Sequence, residues 1–275
     1  MRAILNKGVP ILALFLAGCS SHWGILVLAH GGGEAWNALI HETVTPLEER
    51  FPVEVAFGMA NPETIQTSLT MLEEQGATRI VVLPLFLSSS SFKGANHYIL
   101  GFSDEPPPYS MHPLSQVKTE ATLLWSPKNL IEDSRVGRIL RERAQALSVD
   151  PSTESVLILS HGTGNEEEND AWLRAMRQHA RLLARDGYRE VRVDTLREDW
   201  EGPREAAEKR IRSFVEDASA LGTAIVIPLR VAGFGPYTDV LEGLDYLSDG
   251  KGLAPHPLLT DWLLRTALGC FANCN

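Results

Sequence analysis

The sequence predicts an α/β protein of two tandem lobes with parallel sheets, related by internal duplication. Three observations predict it. Apolar runs of strand length alternate with stretches of helical periodicity along the whole chain, the pattern of βαβ units whose sheet is covered on both faces. A strand ending in a His-Gly turn opens each half, at His30-Gly31 and His161-Gly162. Landmarks then recur at an offset that drifts in one direction: 131 for His30 and His161, 136 for Trp36 and Trp172, 141 for Pro62 and Pro203, 144 for Pro84 and Pro228. Small loop insertions produce such a drift between two copies of one domain, and two repeats this long do not make a solenoid.

In the first half, Gly24–Ala29 reads as a strand, followed by His30-Gly31-Gly32-Gly33 and a helix with Trp36, Leu39 and Ile40 on one face. Pro52–Phe57 reads as a second strand, Pro62–Gln75 as a second helix closed by a C-cap glycine at Gly76, and Arg79–Leu87 as an apolar third strand. The second half repeats this plan: strand Ser155–Ser160, helix Ala171–Arg185, strand Glu190–Thr195, helix Pro203–Leu221 and strand Thr223–Val231. Pro84 and Pro228 interrupt the third strands and mark an end or a bulge there. Each copy closes on a further helix. Pairing Asp133-Ser134-Arg135 with Pro255-His256-Pro257 leaves a helix after each match and makes Ser103–Ser115, with its Pro106-Pro107-Pro108, an insertion. The rival pairing sets His112-Pro113-Leu114 against His256-Pro257-Leu258. The preferred one puts the domain boundary near Asp150, giving lobes 19–150 and 151–275.

With 275 residues, 44% hydrophobic and 22% charged, the chain has ample material for a core, which excludes a disordered protein. Its start is distinctive. Arg2 and Lys7 precede an apolar run from Val9 to Leu16, and the small residues Ala17 and Gly18 lead to Cys19. This reads as a secretory signal peptide over residues 1–18, too short for a mature membrane span. Leu16-Ala17-Gly18-Cys19 resembles the lipobox of bacterial lipoproteins, which implies lipidation of Cys19 and an exported, membrane-anchored protein facing the periplasm or cell exterior. Loss of Arg2 and Lys7 takes the formal charge from −10 to −12. Such an acidic protein is no candidate for nucleic acid. Cys270 and Cys274 are too few for a metal site and read as a disulfide or two thiols.

The chemistry on offer lies at the sheet edges. Each His-Gly turn follows a buried first strand, so its imidazole belongs at the carboxyl edge, where open α/β sheets bind ligands. Imidazole ligates cobalt, iron, nickel or zinc and accepts protons near neutrality. The Gly31-Gly32-Gly33 run lacks the G-x-G-x-x-G and Walker spacings of phosphate loops. His41-Glu42 has no second His at i+4, so no zinc-protease helix is present, and no Gly-x-Ser-x-Gly elbow occurs. His22, His112, His179 and His256 read as surface or structural residues.

The apolar strand before Ala29-His30-Gly31, Pro62 opening the next helix, and Val82-Leu83-Pro84-Leu85-Phe86-Leu87 before a polar loop together resemble the CbiX-type sirohydrochlorin chelatases. The likeness spans both halves, roughly Gly24–Leu268. It implies two flavodoxin-like lobes facing a cleft, and insertion of cobalt or ferrous iron into a tetrapyrrole without ATP. The metal is then a substrate, and no permanently bound cofactor is expected. In that family the His of the first turn binds the incoming metal and helps remove pyrrole protons, which maps to His30 as ligand and base. A second family His follows the third strand. Here that place reads Ser88-Ser89-Ser90-Ser91-Phe92, without histidine. His97 is the substitute ligand that the sequence offers, the hydroxyls of Ser88, Ser89, Ser90 and Ser91 are candidates to complete the site, and His161 is the second-half counterpart. The acidic run Glu166–Asp170 reads either as a cation site or as a helix N-terminus with acids placed on its dipole. Two functions compete with the enzyme: a non-catalytic periplasmic lipoprotein binding a tetrapyrrole or metal, and an envelope interaction module that kept only the fold.

Overall fold

The computed structural model describes residues 23–88 and 92–272. The signal segment, Cys19, Ser89–Ser91 and Cys274 lie outside the described residues. In chain order the first half carries β1 (Trp23–Ala29), α1 (Glu34–Glu48), β2 (Val53–Phe57), α2 (Pro62–Glu74), β3 (Arg79–Leu85), α3 (Lys93–Ile99), β4 (Thr122–Trp125) and α4 (Ser134–Leu147). The second carries β5 (Glu154–Ser160), α5 (Glu166–Leu183), β6 (Glu190–Thr195), α6 (Glu201–Leu221), β7 (Thr223–Leu229), α7 (Tyr237–Val240) and α8 (Pro257–Ala272). Both sheets are parallel, ordered β2-β1-β3-β4 and β6-β5-β7. The predicted fold class, two lobes with parallel sheets, is the one observed.

Helix ends follow local chemistry. Asn61 accepts a hydrogen bond from the Glu63 amide and so caps α2, with Pro62 in its first turn. Gly76, at φ +87, ends that helix in the left-handed region, as its sequence position predicts. Asn165 caps α5 through the Glu168 amide, so that helix starts five residues earlier than periodicity alone gives. Glu166, Glu167 and Glu168 fill its first turn, and among the described residues no group of three or more His, Cys, Asp or Glu side chains could hold a metal. The acidic run is therefore a dipole-compensating helix start.

The third strands stop at Leu85 and Leu229, two residues short of the predicted ends, and their prolines explain it. The Val82 carbonyl accepts from Ser126 N at 3.0 Å, so residues 82 and 84 present their backbone groups to the β4 side. β4 ends opposite Val82, at Trp125. The N–H that Pro84 lacks would have had no strand to meet. β4 itself, four residues after a long irregular stretch, carries too short a pattern to be predicted. Its second-half counterpart shrinks to one bridge, Ile225 to Leu247.

The closing helices are exchanged. α4, from the first half, packs on α5 and β7 of the second sheet, while α8, from the end of the chain, packs on α1 and β3 of the first. The two meet where Arg135 Nε donates to Asp261 at 2.8 Å, and Thr260 Oγ1 donates to the Thr43 carbonyl at 2.8 Å. Helices start at both members of the preferred pairing, whereas His112-Pro113-Leu114 lies in an irregular segment. One apolar cluster fills the space between the sheets. It takes Ile25, Val27 and Ala29 of β1, Val156 and Ile158 of β5, and apolar residues of α1, α4, α5 and α8. Alternate residues Leu26 and Leu28 face α2 and α3, and Leu157 and Leu159 face α6, the period-2 division of a doubly covered sheet. No helix among the described residues is long and apolar enough to cross a membrane.

His179 sits in this interior. It is 5% exposed, with Nε2 facing the Ile131 carbonyl at 2.7 Å and Nδ1 2.9 Å from where a side chain on Gly137 would begin. Burial pushes its pKa below the usual histidine value, against the opposing pull of the Ile131 carbonyl and Asp133. With the folded pKa depressed, the unfolded chain binds more protons in acid, so stability is full above about pH 6.5 and falls as the pH drops below it. His97, lowered first by burial and then by Lys93, acts in the same direction. The urea midpoint is expected to fall between pH 7.5 and 5.5, and less so in His179→Gln. An equal fall in the variant would remove His179 from this account.

Candidate functional site

β1 delivers its last buried residue, Ala29, to the carboxyl edge, and His30 follows exposed. Gly31 turns the chain at φ +80. A side chain there would begin 3.1 Å from Phe57 Cβ and 3.3 Å from Gly58 N, so it would crowd the neighbouring loop in a conformation that already favours glycine. The His30 imidazole is oriented by its own turn, since Nδ1 lies 2.8 Å from the Gly31 carbonyl. A carbonyl can only accept, so Nδ1 carries the proton and Nε2 keeps its lone pair. The ring stands between Trp36 and Phe92, at centroid distances of 6.4 and 6.5 Å. Trp36 also reaches the other half, its indole Nε1 donating to the Ala232 carbonyl at 3.3 Å.

The second turn repeats the first and then departs from it. His161 Nδ1 lies 2.8 Å from the Gly162 carbonyl, and Gly162 has φ +78. Its Nε2, however, lies 3.2 Å from Asp199 Oδ2 and 3.8 Å from Glu198 Oε2. Its outer nitrogen therefore has acidic neighbours, and no group of three or more His, Cys, Asp or Glu side chains among the described residues could hold a metal there. Arg197, buried and in the left-handed region at φ +57, pins the loop by donating to the Thr163 carbonyl at 2.7 Å, the Gly164 carbonyl at 2.6 Å and Glu166 Oε1 at 2.6 Å. Glu198 is tied in turn to Arg230, which lies over the buried Tyr237 ring. Burial pushes the Tyr237 phenol far above its ordinary range, so it stays neutral.

His97 stands elsewhere. Its ring lies 4.5 Å from Trp125 and 5.5 Å from Phe102, and its Nε2 is buried without a hydrogen-bond partner. It shares no ring neighbour with His30. The residue that does face His30 from the loop after β3 is Phe92, in the stretch where the family resemblance sets its second histidine. Ser88 ends the described part of that loop. The structure thus leaves His30, His97 and His161 in three separate surroundings. Sequence reasoning passed over Asp199 and Arg197, and met Phe92 only as the end of a loop without histidine. Trp36 was visible in it as a repeat landmark and as part of the apolar face of the first helix.

Residues 24–95 match the CbiX family model. No curated protein matches the chain. Among solved structures, SirB from Bacillus subtilis with Fe3+ is 17% identical with a TM-score of 0.63, over 92% of this chain and 97% of that one. The sirohydrochlorin chelatase SirB from Bacillus subtilis subspecies spizizenii in complex with cobalt is 14% identical with a TM-score of 0.61, over 92% and 96%. A multi-domain Deinococcus radiodurans protein, described as similar to chelatases and carrying two additional domains, is 16% identical with a TM-score of 0.56; this chain covers 90% of its own length and 54% of that protein. At these identities the likeness is one of fold.

Proposed function

We propose that this chain is a chelatase-like protein that brings a divalent metal ion and a tetrapyrrole of the sirohydrochlorin class together at His30. One observation carries the reading. At the carboxyl edge of the first sheet, inside the stretch that matches the CbiX family model, an exposed imidazole has Nδ1 committed to a carbonyl and Nε2 turned away from it, without a partner shown among the described residues. In the neutral ring that tautomer leaves Nε2 as the nitrogen that can ligate a metal.

Insertion makes four metal–nitrogen bonds and releases two pyrrole protons, with no change in oxidation state. His30 Nε2 has a single lone pair, so while it holds the metal the protons pass to water. Cobalt(II) and ferrous iron are the ions this reading favours, on the strength of the resemblance and the imidazole donor. The reading gives the metal contact to His30 alone and leaves His161, which lies beside Asp199 in the second lobe, without a part in it. The reading also places the protein outside the cytoplasm, tethered through Cys19, on the sequence of residues 1–19 alone.

The test is to incubate the folded protein with sirohydrochlorin and cobalt(II) and follow the absorbance of the macrocycle. Wild type is expected to convert it, and His30→Ala to lower the initial rate by roughly 100-fold or more. Equal rates in the two proteins would sink His30 as the metal contact.

A further inference from the structure

We infer that copies of this chain associate head to tail, the outer edge of the second sheet in one copy meeting the outer edge of the first sheet in the next. The contact uses no residue of the His30 turn.

Both edges are open. Sheet order puts β2 at one end of the first sheet and β6 at the equivalent end of the second. Leu196 N donates to the Ser160 carbonyl at 2.9 Å, so even-numbered residues of β6 bond to β5, and Val191 and Val193 turn their N–H and C=O groups outward. Ile25 N donates to the Pro52 carbonyl at 2.9 Å and Gly58 N to the Ala29 carbonyl at 3.1 Å, so Val53 and Val55 of β2 do the same. A groove runs along each strand, about 720 Å³ beside β6 and about 710 Å³ beside β2. Such an edge is a template for another strand, and proteins commonly blunt it with lysine or proline. Neither strand contains either residue.

The charges along the two edges are opposite. α5 flanks β6 and exposes Arg174, Arg177 and Arg181, with Arg185 just past its end, at spacings of three and four that set them in one row. None of the four enters an ion pair or a side-chain hydrogen bond among the described residues, in a chain whose formal charge is −10. Arg177 and Arg181 line the groove, where Glu166 and Asp194 are already paired with Arg197 and Arg210. α1, the first-half counterpart of α5, flanks β2. It holds no lysine or arginine and closes on Glu48, with Glu49 as its C-cap, both exposed. The carboxyl end of a helix carries partial negative charge and disfavours acids, and no basic side chain in the last turn offsets these two. Glu48 and Glu54 line the groove there, and its one basic residue, Arg50, lies over the Phe51 ring. The arginine row therefore holds more positive charge than its own surroundings use, and the end of α1 more negative charge than its helix favours. A second copy supplies each with its complement. Duplication gives the two edges one geometry, and their divergence in charge makes them complementary. A contact between two different edges joins each copy to two others and does not close as a two-fold dimer.

Sedimentation velocity on the folded protein over a range of concentrations tests this. The mass of wild type is expected to rise past that of a dimer, and to fall again as salt goes from about 0.05 to 0.5 M. Arg177→Glu with Arg181→Glu should lower the association constant at least about tenfold, and so should Glu48→Arg with Glu49→Arg. Mixing the two double variants should restore association, because the reversed edges complement each other. Lys128→Glu with Lys251→Glu makes the first of these changes in net charge away from both grooves, and should stay within about threefold of wild type. Val193→Pro removes an outward N–H that the protein's own sheet does not use, and should weaken association several-fold. Circular dichroism checks that each variant is folded. A wild type that stays monomeric at every concentration overturns the inference, whatever other partner the arginines take. So does association that survives the arginine reversal or Val193→Pro unchanged, or that the mixture fails to restore. None of these outcomes bears on metal insertion at His30, which the absorbance assay decides separately.

Discussion

Expressed as separate chains, residues 1–150 and 151–275 are expected not to fold, and to give native structure only when produced together. The reason is the helix exchange. In the first chain, α1 and β3 lose the helix that covers them, because α8 belongs to the second. Leu259, Trp262, Leu263 and Phe271 of α8 are all buried. Four such side chains contribute about 1.5–3 kcal/mol each, on the order of 6–12 kcal/mol in all. That is comparable with the whole stability of a typical domain, about 5–15 kcal/mol. The second chain meets the reciprocal problem, since α4 supplies Val136, Ile139, Leu140 and Ala144 against α5 and β7. Circular dichroism melts of each half, and of the two co-expressed, measure this directly. A cooperative melt from either half alone would show that each lobe is closed by its own residues.

That exchange also marks how far the sequence could be read. The buried strands β1, β3, β5 and β7 announce themselves as apolar runs, because a strand covered on both faces has no polar position to interrupt it. The two His-Gly turns are legible for the same reason: the apolar run stops where the backbone must leave the sheet. The amphipathic patterns of α4 and α8 say which face of each helix is apolar. They cannot say which sheet the face meets, since the two sheets are copies and present equivalent surfaces. At the site, His30 was found by its place at a strand end. Phe92 was noticed as the end of a loop that lacks a histidine, and its contact with the His30 ring is a fact of folding alone. Asp199 lies 38 positions beyond His161, on the far side of α5 and β6, and no local pattern links them.

Replacing Arg143 by alanine is expected to destabilise the protein by about 3–5 kcal/mol. Arg143 belongs to α4, is 8% exposed, and enters the second sheet where an edge strand is missing. Ala224 and Val226 present their backbone groups outward to Leu247, at 2.8 Å each, so Pro228 two residues on faces the same way. No strand continues there. The guanidinium fills the gap, donating through Nη1 to the carbonyls of Pro228, at 3.2 Å, and Gly252, at 3.3 Å. Through Nε and Nη2 it grips both oxygens of Asp249. Its removal therefore leaves a carboxylate and two carbonyls without their donor, and the cost of those groups exceeds the cost of the lost packing. Burial works to raise the Asp249 pKa, but the Arg143 hydrogen bonds and charge outweigh it and hold it below the ordinary value. A depressed carboxyl stabilises the fold above its unfolded pKa, and that contribution is lost as the pH falls through the folded one. The difference between wild type and Arg143→Ala in urea should accordingly be largest near neutrality and narrow below about pH 4. Removing Asp249 as well separates the two parts of the effect. In the double variant the stranded carboxylate is gone while both carbonyls remain unpaired, so stability should recover in part. A double variant no more stable than Arg143→Ala would mean that the carboxylate is not what makes this arginine indispensable.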